Sequence, residues 1–300
     1  MKKKFIASIL LGTMVMQLAA CGSADSTTEE TATEETEVVE ETAEEETEAA
    51  EETEEAAEET EVSAEDSDVA YIQDKGTLIV GITDFAPMDY KDDNGEWIGF
   101  DADVAKKVAE DLGVQVQFVE IDWDNKILEL ENKSIDVVWN GMTLTDEVKN
   151  AMECTNAYCN NAQVVVVASD VADQYQDEES LQGLAFAVEA GSAGEAAAQE
   201  LGLDYTSLTS QSDTLMEVSA GTSNACIIDL LMAGAMIGDG TSYPDLTHTV
   251  ELTTEEYGVG CRKGSDLAAY INDEFKAMYD DGSLVTIAET YGVQDAVVAQ

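Results

Sequence analysis

The sequence has few basic residues and one histidine, and these shortages exclude several functions. Its 300 residues carry 13 Lys and Arg against 65 Asp and Glu, a formal net charge of −52. A surface of this charge repels phosphate backbones, so nucleic-acid binding through a basic face is excluded in practice. One His excludes a multi-histidine metal or catalytic cluster, and the nucleotide-binding pattern Gly-x-x-x-x-Gly-Lys is missing. The sequence therefore predicts no metal and no cofactor.

A hydrophobic run of the length that a membrane-spanning helix needs is also missing. The longest apolar stretch, Phe5–Ala20, follows three lysines and is interrupted by four small or polar residues. A basic start followed by a short apolar segment is typical of a secretory signal peptide, which we place at residues 1–20.

The signal peptide ends in a sequence with a reactive cysteine. Leu18-Ala19-Ala20-Cys21-Gly22 resembles the lipoprotein box of bacteria. The resemblance implies cleavage before Cys21 and lipid attachment there, which would hold the protein at the extracytoplasmic face of the cell membrane. The alternative is an ordinary signal peptide with a cysteine near its cleavage site.

An acidic segment follows, which we assign to residues 21–70. Residues 22–70 hold 22 Asp and Glu and no Lys or Arg, among Thr and Ala. Such a segment cannot bury enough apolar surface to offset the entropy of ordering, so we predict a disordered tether. A partly helical spacer is the alternative.

Beyond this tether, apolar strands alternate with amphipathic helices, which predicts open α/β sheets with ligand sites at the carboxyl ends of the strands. We expect Asp101 to cap a helix whose apolar face carries Val104, Val108 and Leu112. A late amphipathic helix contains Leu267 and Phe275. The predicted strands are Thr77–Thr83, Val114–Ile121, Ser134–Trp139, Val164–Ala168, Leu184–Val188 and Ala225–Ile228, and further helices are Ile127–Asn132, Glu195–Leu201 and Leu230–Ile237.

Four segments in order along the chain resemble the extracellular solute-binding proteins of amino-acid ABC transporters, the polar amino-acid receptor family. The likeness extends from about Tyr71 to Tyr291. The segments are Gly81–Tyr90 with Gly95–Asp103, Asp122-Trp123 with Ser134–Asp136 and Gly141–Glu147, Val188–Ser192, and Tyr257–Gly260 with Arg262–Asp266.

The resemblance implies two α/β lobes that are joined by two crossing strands and close on a ligand like a hinged trap. Lobe one would comprise residues 71–158 and 257–300, and lobe two residues 159–256. The implied function is capture of a small polar solute, an amino acid or a related amine, and its delivery to an ABC permease by a monomeric receptor. The alternatives are a ligand sensor for a membrane signalling partner and a dehydratase-type enzyme on the same fold.

The resemblance also implies which residues contact the ligand. Phe85 and Trp123 stand where the family places aromatic walls, whose faces pack on apolar groups and attract cations. Asp229 stands where the family holds the α-amino group, and its position at a strand end independently favours a ligand contact. The alternatives are core aromatics and a helix cap.

Five further positions complete the implied site. Gly141 and Thr143 would offer a backbone carbonyl, a hydroxyl and an amide. Ser192 and Ala193 begin a helix, where free backbone N–H groups attract anions, although Ser192 also suits a simple N-cap. Glu189 would face the ligand side chain, which favours a cationic ligand.

Position 148 departs from the family pattern. The family has an arginine after Thr-Asp-Glu that grips the α-carboxylate, whereas this chain has Val148. Three alternatives follow: Lys149 supplies the charge, backbone amides hold the carboxylate alone, or the ligand has no free α-carboxylate.

Four cysteines remain beyond Cys21, namely Cys154, Cys159, Cys226 and Cys261. Buried thiols are the first expectation and a disulfide the second. Because the one histidine, His248, has no Ser or Cys motif around it, we expect a binding protein rather than an enzyme.

Overall fold

The computed structural model describes residues 67–300. The predicted signal peptide at 1–20, the lipidation of Cys21 and almost all of the predicted tether lie outside these residues. The described part begins with a helix rather than at Tyr71, because Ser67 caps that helix by accepting from the Ala70 N–H. Asp68 in its first turn pairs with Arg262 at 2.9 Å, which anchors the helix to the rest of the domain.

The α/β alternation predicted from the sequence is confirmed. The strands are β1 (Thr77–Ile82), β2 (Tyr90–Lys91), β3 (Trp97–Ile98), β4 (Gln115–Glu120), β5 (Val137–Thr143), β6 (Glu153–Cys154), β7 (Cys159–Ala168), β8 (Ala185–Glu189), β9 (Asp204–Leu208), β10 (Ala225–Asp229) and β11 (Leu246–Cys261). The helices are α1 (Asp68–Lys75), α2 (Phe100–Leu112), α3 (Lys126–Glu131), α4 (Asp146–Ala151), α5 (Ala193–Glu200), α6 (Gln211–Ala220), α7 (Leu230–Met236), α8 (Leu267–Asp281) and α9 (Ser283–Tyr291).

Two long strands connect the two halves of the fold. The strand order is β4-β1-β5-β11-β7-β10-β8-β9, with β6 also paired to β11. Strands β7 and β11 run antiparallel from Leu246↔Ala168 to Tyr257↔Cys159, while the end of β11 also pairs with β5. We call β1, β4 and β5 with their helices the first lobe, and β8, β9 and β10 with theirs the second lobe. This is the predicted two-lobed fold with two crossing strands.

Helix α2 shows both a confirmed prediction and a wrong one. Its apolar face, including Val104 and Val108, is buried, and it ends at Gly113, whose φ of 80° is the left-handed conformation that favours glycine. Asp101 does not cap it, because the helix begins at Phe100 after Gly99. Asp101 is instead buried and accepts from the Gly141 N–H and the Tyr158 hydroxyl, both at 2.7 Å.

The cysteines beyond residue 67 are free thiols. Cys159, Cys226 and Cys261 are buried, and Cys154 is half-buried. Burial raises the pKa of the Cys226 thiol to about 12, so this sulfur stays protonated and unreactive at neutral pH. Between residues 67 and 300, the helices are all too short or too polar to cross a membrane.

Candidate functional site

A cavity of about 290 Å³ lies between the two lobes. It opens at the carboxyl ends of strands from both lobes, since β5 ends at Thr143, β8 at Glu189 and β10 at Asp229. Strand ends are the usual ligand position in α/β folds, because the backbone and the following loops leave polar groups free there.

The structure brings every site residue predicted from the sequence to this one cavity. The first lobe contributes two rings and backbone, and the second contributes carboxylates and the start of a helix. The predicted residues in its lining are Phe85, Trp123, Gly141, Thr143, Glu189, Ser192, Ala193 and Asp229.

Two aromatic side chains form walls on the first-lobe side. Phe85 is 2 % exposed and packs edge-on against Tyr257, while Trp123 is 8 % exposed. Gly141 makes room for Phe85, because a Cβ on Gly141 would lie 2.3 Å from the Phe85 ring. The φ of Gly141 is +54°, so both its conformation and its contact require glycine.

The Asp229 carboxylate accepts four hydrogen bonds from side chains of the protein. Its Oδ1 accepts from Tyr257 at 2.5 Å, from Gln163 at 3.0 Å and from Asn161. Its Oδ2 accepts from Gln211, which leaves one acceptor position on that oxygen free. The side chain does not cap α7. Burial, together with the nearby Glu255 carboxylate, raises the pKa of Asp229 to about 8.

Glu189 is a second buried carboxylate in the lining. It is 3 % exposed, and its Oε1 has no hydrogen-bond partner among the described residues. Burial raises the pKa of Glu189 to about 8, and the charge of Asp229 acts in the same direction. An unpartnered buried oxygen is costly, so a donor from a bound ligand would stabilise this side chain.

The Thr143 hydroxyl, a predicted ligand contact, is already hydrogen-bonded within the protein, and the Ser192 hydroxyl caps a helix. The Thr143 hydroxyl donates to Glu255 at 3.0 Å, and the Ser192 hydroxyl accepts from the Glu195 N–H at 3.1 Å. Ser192 is therefore the N-cap of α5, the plainer of its two readings. The first amides of α5, including that of Ala193, remain directed out of the helix start.

Val148 and its neighbour Lys149 lie in different environments. Val148 is 5 % exposed and lines the cavity, whereas Lys149 is exposed and does not line it. Among the described lining residues the one basic side chain is Lys126, which is 8 % exposed. Its ammonium lies 4.8 Å from the Trp123 ring centre.

Sequence reasoning missed Lys126, Gln163 and Gln211. Lys126 follows Trp123 by three residues, about one helical turn, so its position beside a predicted wall residue was a usable signal. Gln163 precedes the run Val164–Val167 in a buried strand, where a polar residue needs a partner. Gln211 gave no signal, because helix α6 was not predicted.

The family comparison matches most of the chain. Residues 78–294 match the sequence model of the bacterial extracellular solute-binding proteins, family 3. The L-cystine-binding protein TcyJ of Escherichia coli K12 is 26% identical over 224 residues, which cover 73% of this chain and 84% of that protein. The arginine-binding extracellular protein ArtP of Bacillus subtilis is 30% identical over 219 residues, 70% of this chain and 84% of that protein.

Solved structures show the same fold. The substrate-binding protein of an ABC uptake transporter from Streptococcus pneumoniae, with bound histidine, matches with a TM-score of 0.69 at 27% identity, covering 76% of this chain and 97% of that one. The ancestral amino-acid-binding protein AncCDT-1, a precursor of cyclohexadienyl dehydratase, matches with a TM-score of 0.69 at 32% identity, covering 75% and 99%.

Proposed function

Because the chain belongs to the bacterial extracellular solute-binding proteins of family 3, we propose that it captures an amino acid with a cationic side chain and delivers it to an ABC permease. The observation that carries this proposal is the interlobe cavity, which combines two ring faces with two buried carboxylates. Relatives named for binding arginine, and a structure with bound histidine, favour the same ligand class.

Each wall of the cavity suits one part of such a ligand. The free acceptor position on Asp229 suits the α-ammonium, since a charge-assisted hydrogen bond contributes about 1.5–3 kcal/mol. The faces of Phe85 and Trp123 suit the stem and the cationic end of the side chain. Glu189 would receive the side-chain cation on its unpartnered oxygen.

We assign the lobes to residues 71–158 with 257–300, and to 159–256. This division is supported by the pairing of Cys159 with Tyr257, where β7 and β11 run side by side between the two lobes. A rotation about two strands opens the cavity without breaking either core, as capture and release require. The proposed hinge is the stretch around Tyr158–Gln163 and Thr254–Tyr257.

Thermal unfolding of the purified full chain tests the proposed ligand class. Amino acids and the corresponding amines are added singly at millimolar concentration, and the apparent melting temperature is followed. A ligand that binds only the folded protein raises that temperature by mass action, so arginine or histidine should raise it by several degrees. No rise with any amino acid or amine would contradict the proposal.

The lipid anchor is a separate part of the proposal. Cleavage before Cys21 and acylation of that residue would keep the receptor near a membrane permease. Metabolic labelling with an alkyne fatty acid should mark the wild-type protein and fail with Cys21→Ser. Equal labelling of both would contradict an anchor at this residue.

Catalysis is the second candidate, because AncCDT-1 is a dehydratase precursor with the same fold. We infer binding without chemical change, since the one histidine, His248, is exposed on β11 and does not line the cavity. After overnight incubation, mass spectrometry should recover the stabilising ligand unchanged. A product that accumulates with time and disappears with Asp229→Asn would favour the enzyme instead.

A further inference from the structure

Lys126 is a buried cation that forms no ion pair with the residues that the structure describes. It is 8 % exposed, and none of the ion pairs between residues 67 and 300 includes it. A buried charge that lacks a counter-charge destabilises the folded protein, which indicates that Lys126 has a functional role.

The ammonium of Lys126 bridges the two lobes. It donates to the Trp123 carbonyl at 3.2 Å within the first lobe and to the Gly191 carbonyl at 2.8 Å in the second lobe. The lobes touch directly beside it, because a Cβ on Gly191 would lie 2.8 Å from the Asp124 Cα. An ammonium has three donors, so one remains for a ligand after these two bonds.

Lys126 and Glu189 both line the cavity without forming an ion pair. Glu189 is the carboxylate with the strongest attraction for Lys126, yet its Oε1 has no hydrogen-bond partner among the described residues. The free donor of Lys126 and the carboxyl groups of Asp229 and Glu189, which ionise when they receive a cation, match the opposite charges of an amino acid. The loop Gly191–Ala193 that holds Lys126 also begins helix α5, whose first amides favour negative charge.

We propose that Lys126 is the residue that receives the carboxylate of the ligand, and that it thereby selects amino acids over the corresponding amines. The inference rests on the proposed function. It assigns to Lys126 the charge that Val148 cannot supply, and it couples carboxylate recognition to lobe closure, because the same ammonium contacts Gly191 across the cleft.

Calorimetric titration of the full chain with matched probes tests this assignment. The probes are L-arginine with agmatine and L-histidine with histamine, which differ by one carboxylate, and L-cystine with cystamine, which differ by two. The wild type should bind the amino acid of its best pair at least tenfold more tightly than the amine. Preference for the amine would overturn the inference and leave the proposed function standing, whereas no binding by any probe or further amino acid would overturn both.

Variants then identify the residue that carries the preference. Lys126→Met should weaken binding of the amino acid by about tenfold to a hundredfold and change binding of the amine less than threefold. Lys126→Arg should keep the preference. The matched control Lys149→Met, on the exposed neighbour of Val148, should change neither affinity.

Two outcomes would reject the role of Lys126. An equal loss of both ligands with Lys126→Met would mean that Lys126 only holds the lobes together. Loss of the preference with Lys149→Met would assign the carboxylate to Lys149. The double variant Lys126→Met, Val148→Arg should recover at least half of the lost preference for the amino acid, counted on a logarithmic scale. If the double variant folds but does not recover this preference, side chains at positions 126 and 148 do not reach the same ligand carboxylate.

Discussion

Asp101 and Asp229 are two buried carboxylates in similar surroundings, yet only one of them lines the cavity. Each accepts from a tyrosine at the junction of the lobes, Asp101 from Tyr158 at 2.7 Å and Asp229 from Tyr257 at 2.5 Å. Burial raises the pKa of Asp101 to about 7 and that of Asp229 to about 8. Neither burial nor a shifted pKa therefore distinguishes the ligand contact.

The difference lies in what each carboxylate holds. Asp101 accepts from the Gly141 N–H within the first lobe and does not line the cavity, so it stabilises that lobe. Asp229 is surrounded by amides and faces the cavity with an acceptor position to spare. A shifted pKa thus marks a candidate site only when the group also opens onto a cavity that a ligand can fill.

The largest effect on affinity should come from Asp229→Asn. The shape is kept but the charge is lost, so the α-ammonium loses its charge-assisted partner. We expect affinity for the stabilising amino acid to fall by about tenfold to a few hundredfold, measured by calorimetry. An affinity within twofold of wild type would remove Asp229 from the site.

The same change at Asp101 should act on stability instead. Asp101→Asn keeps one oxygen for the Gly141 and Tyr158 donors, which both bond Oδ2, but it removes the negative charge that strengthens these bonds. The free energy of unfolding should therefore fall by about 1–3 kcal/mol. Chemical denaturation with and without ligand measures both quantities. If Asp101→Asn lost as much affinity as Asp229→Asn and no stability, Asp101 would be a ligand contact rather than a structural residue.

The pH dependence of ligand binding should further distinguish the carboxylates that line the cavity from Asp101, which does not line it. In the empty cleft Asp229 and Glu189, whose pKa values are raised to about 8, keep their protons at pH 6. A cationic ligand needs both ionised, so binding releases protons and affinity should rise by about tenfold per pH unit per proton released between pH 6 and 8.

Titrations in buffers of different ionisation enthalpy count these protons. The Glu255 carboxylate raises the pKa of Asp229, and the Lys126 ammonium lowers the pKa of Glu189. The protons are therefore counted for the wild type and for Asp229→Asn, and the variant should release fewer. Affinity that is constant over this pH range would contradict the coupling.

The smallest effects should come from the two tyrosines. Tyr257→Phe removes one of the donors to Asp229, and affinity should fall by about threefold to tenfold. Tyr158→Phe removes the donor to Asp101, and affinity should change less than twofold while stability falls by about 1 kcal/mol. If the two variants changed affinity and stability by the same amounts, both tyrosines would act only through the hinge.

The alternation of strands and helices was predicted from local patterns, whereas the cavity walls were predicted from the family resemblance, with Asp229 also favoured by its position at a strand end. Apolar strands such as Thr77–Ile82 are followed by polar residues, and the strand ends at Glu189 and Asp229 come to one cavity from distant positions in the chain. The register of the long strand Leu246–Cys261 was not predicted, since its first half alternates weakly in burial and depends on pairing with β7.

The polar network behind the walls could not be predicted. Gln163, Gln211 and Glu255 meet Asp229 only after two strands and a helix pack together, and their spacing along the chain carries no signal. Lys126 is similar, because its burial depends on the contact with Gly191 of the other lobe. For Asp101, local capping statistics favoured the wrong partner, and the tertiary bond to Gly141 decided its role.

A crystal structure of the full chain with its most stabilising amino acid tests the central claim most directly. We predict the ligand between Phe85 and Trp123, with its α-ammonium about 2.7–3.2 Å from Asp229 Oδ2. A ligand bound outside the interlobe cavity, or inside it with the ammonium directed away from Asp229, would contradict the account.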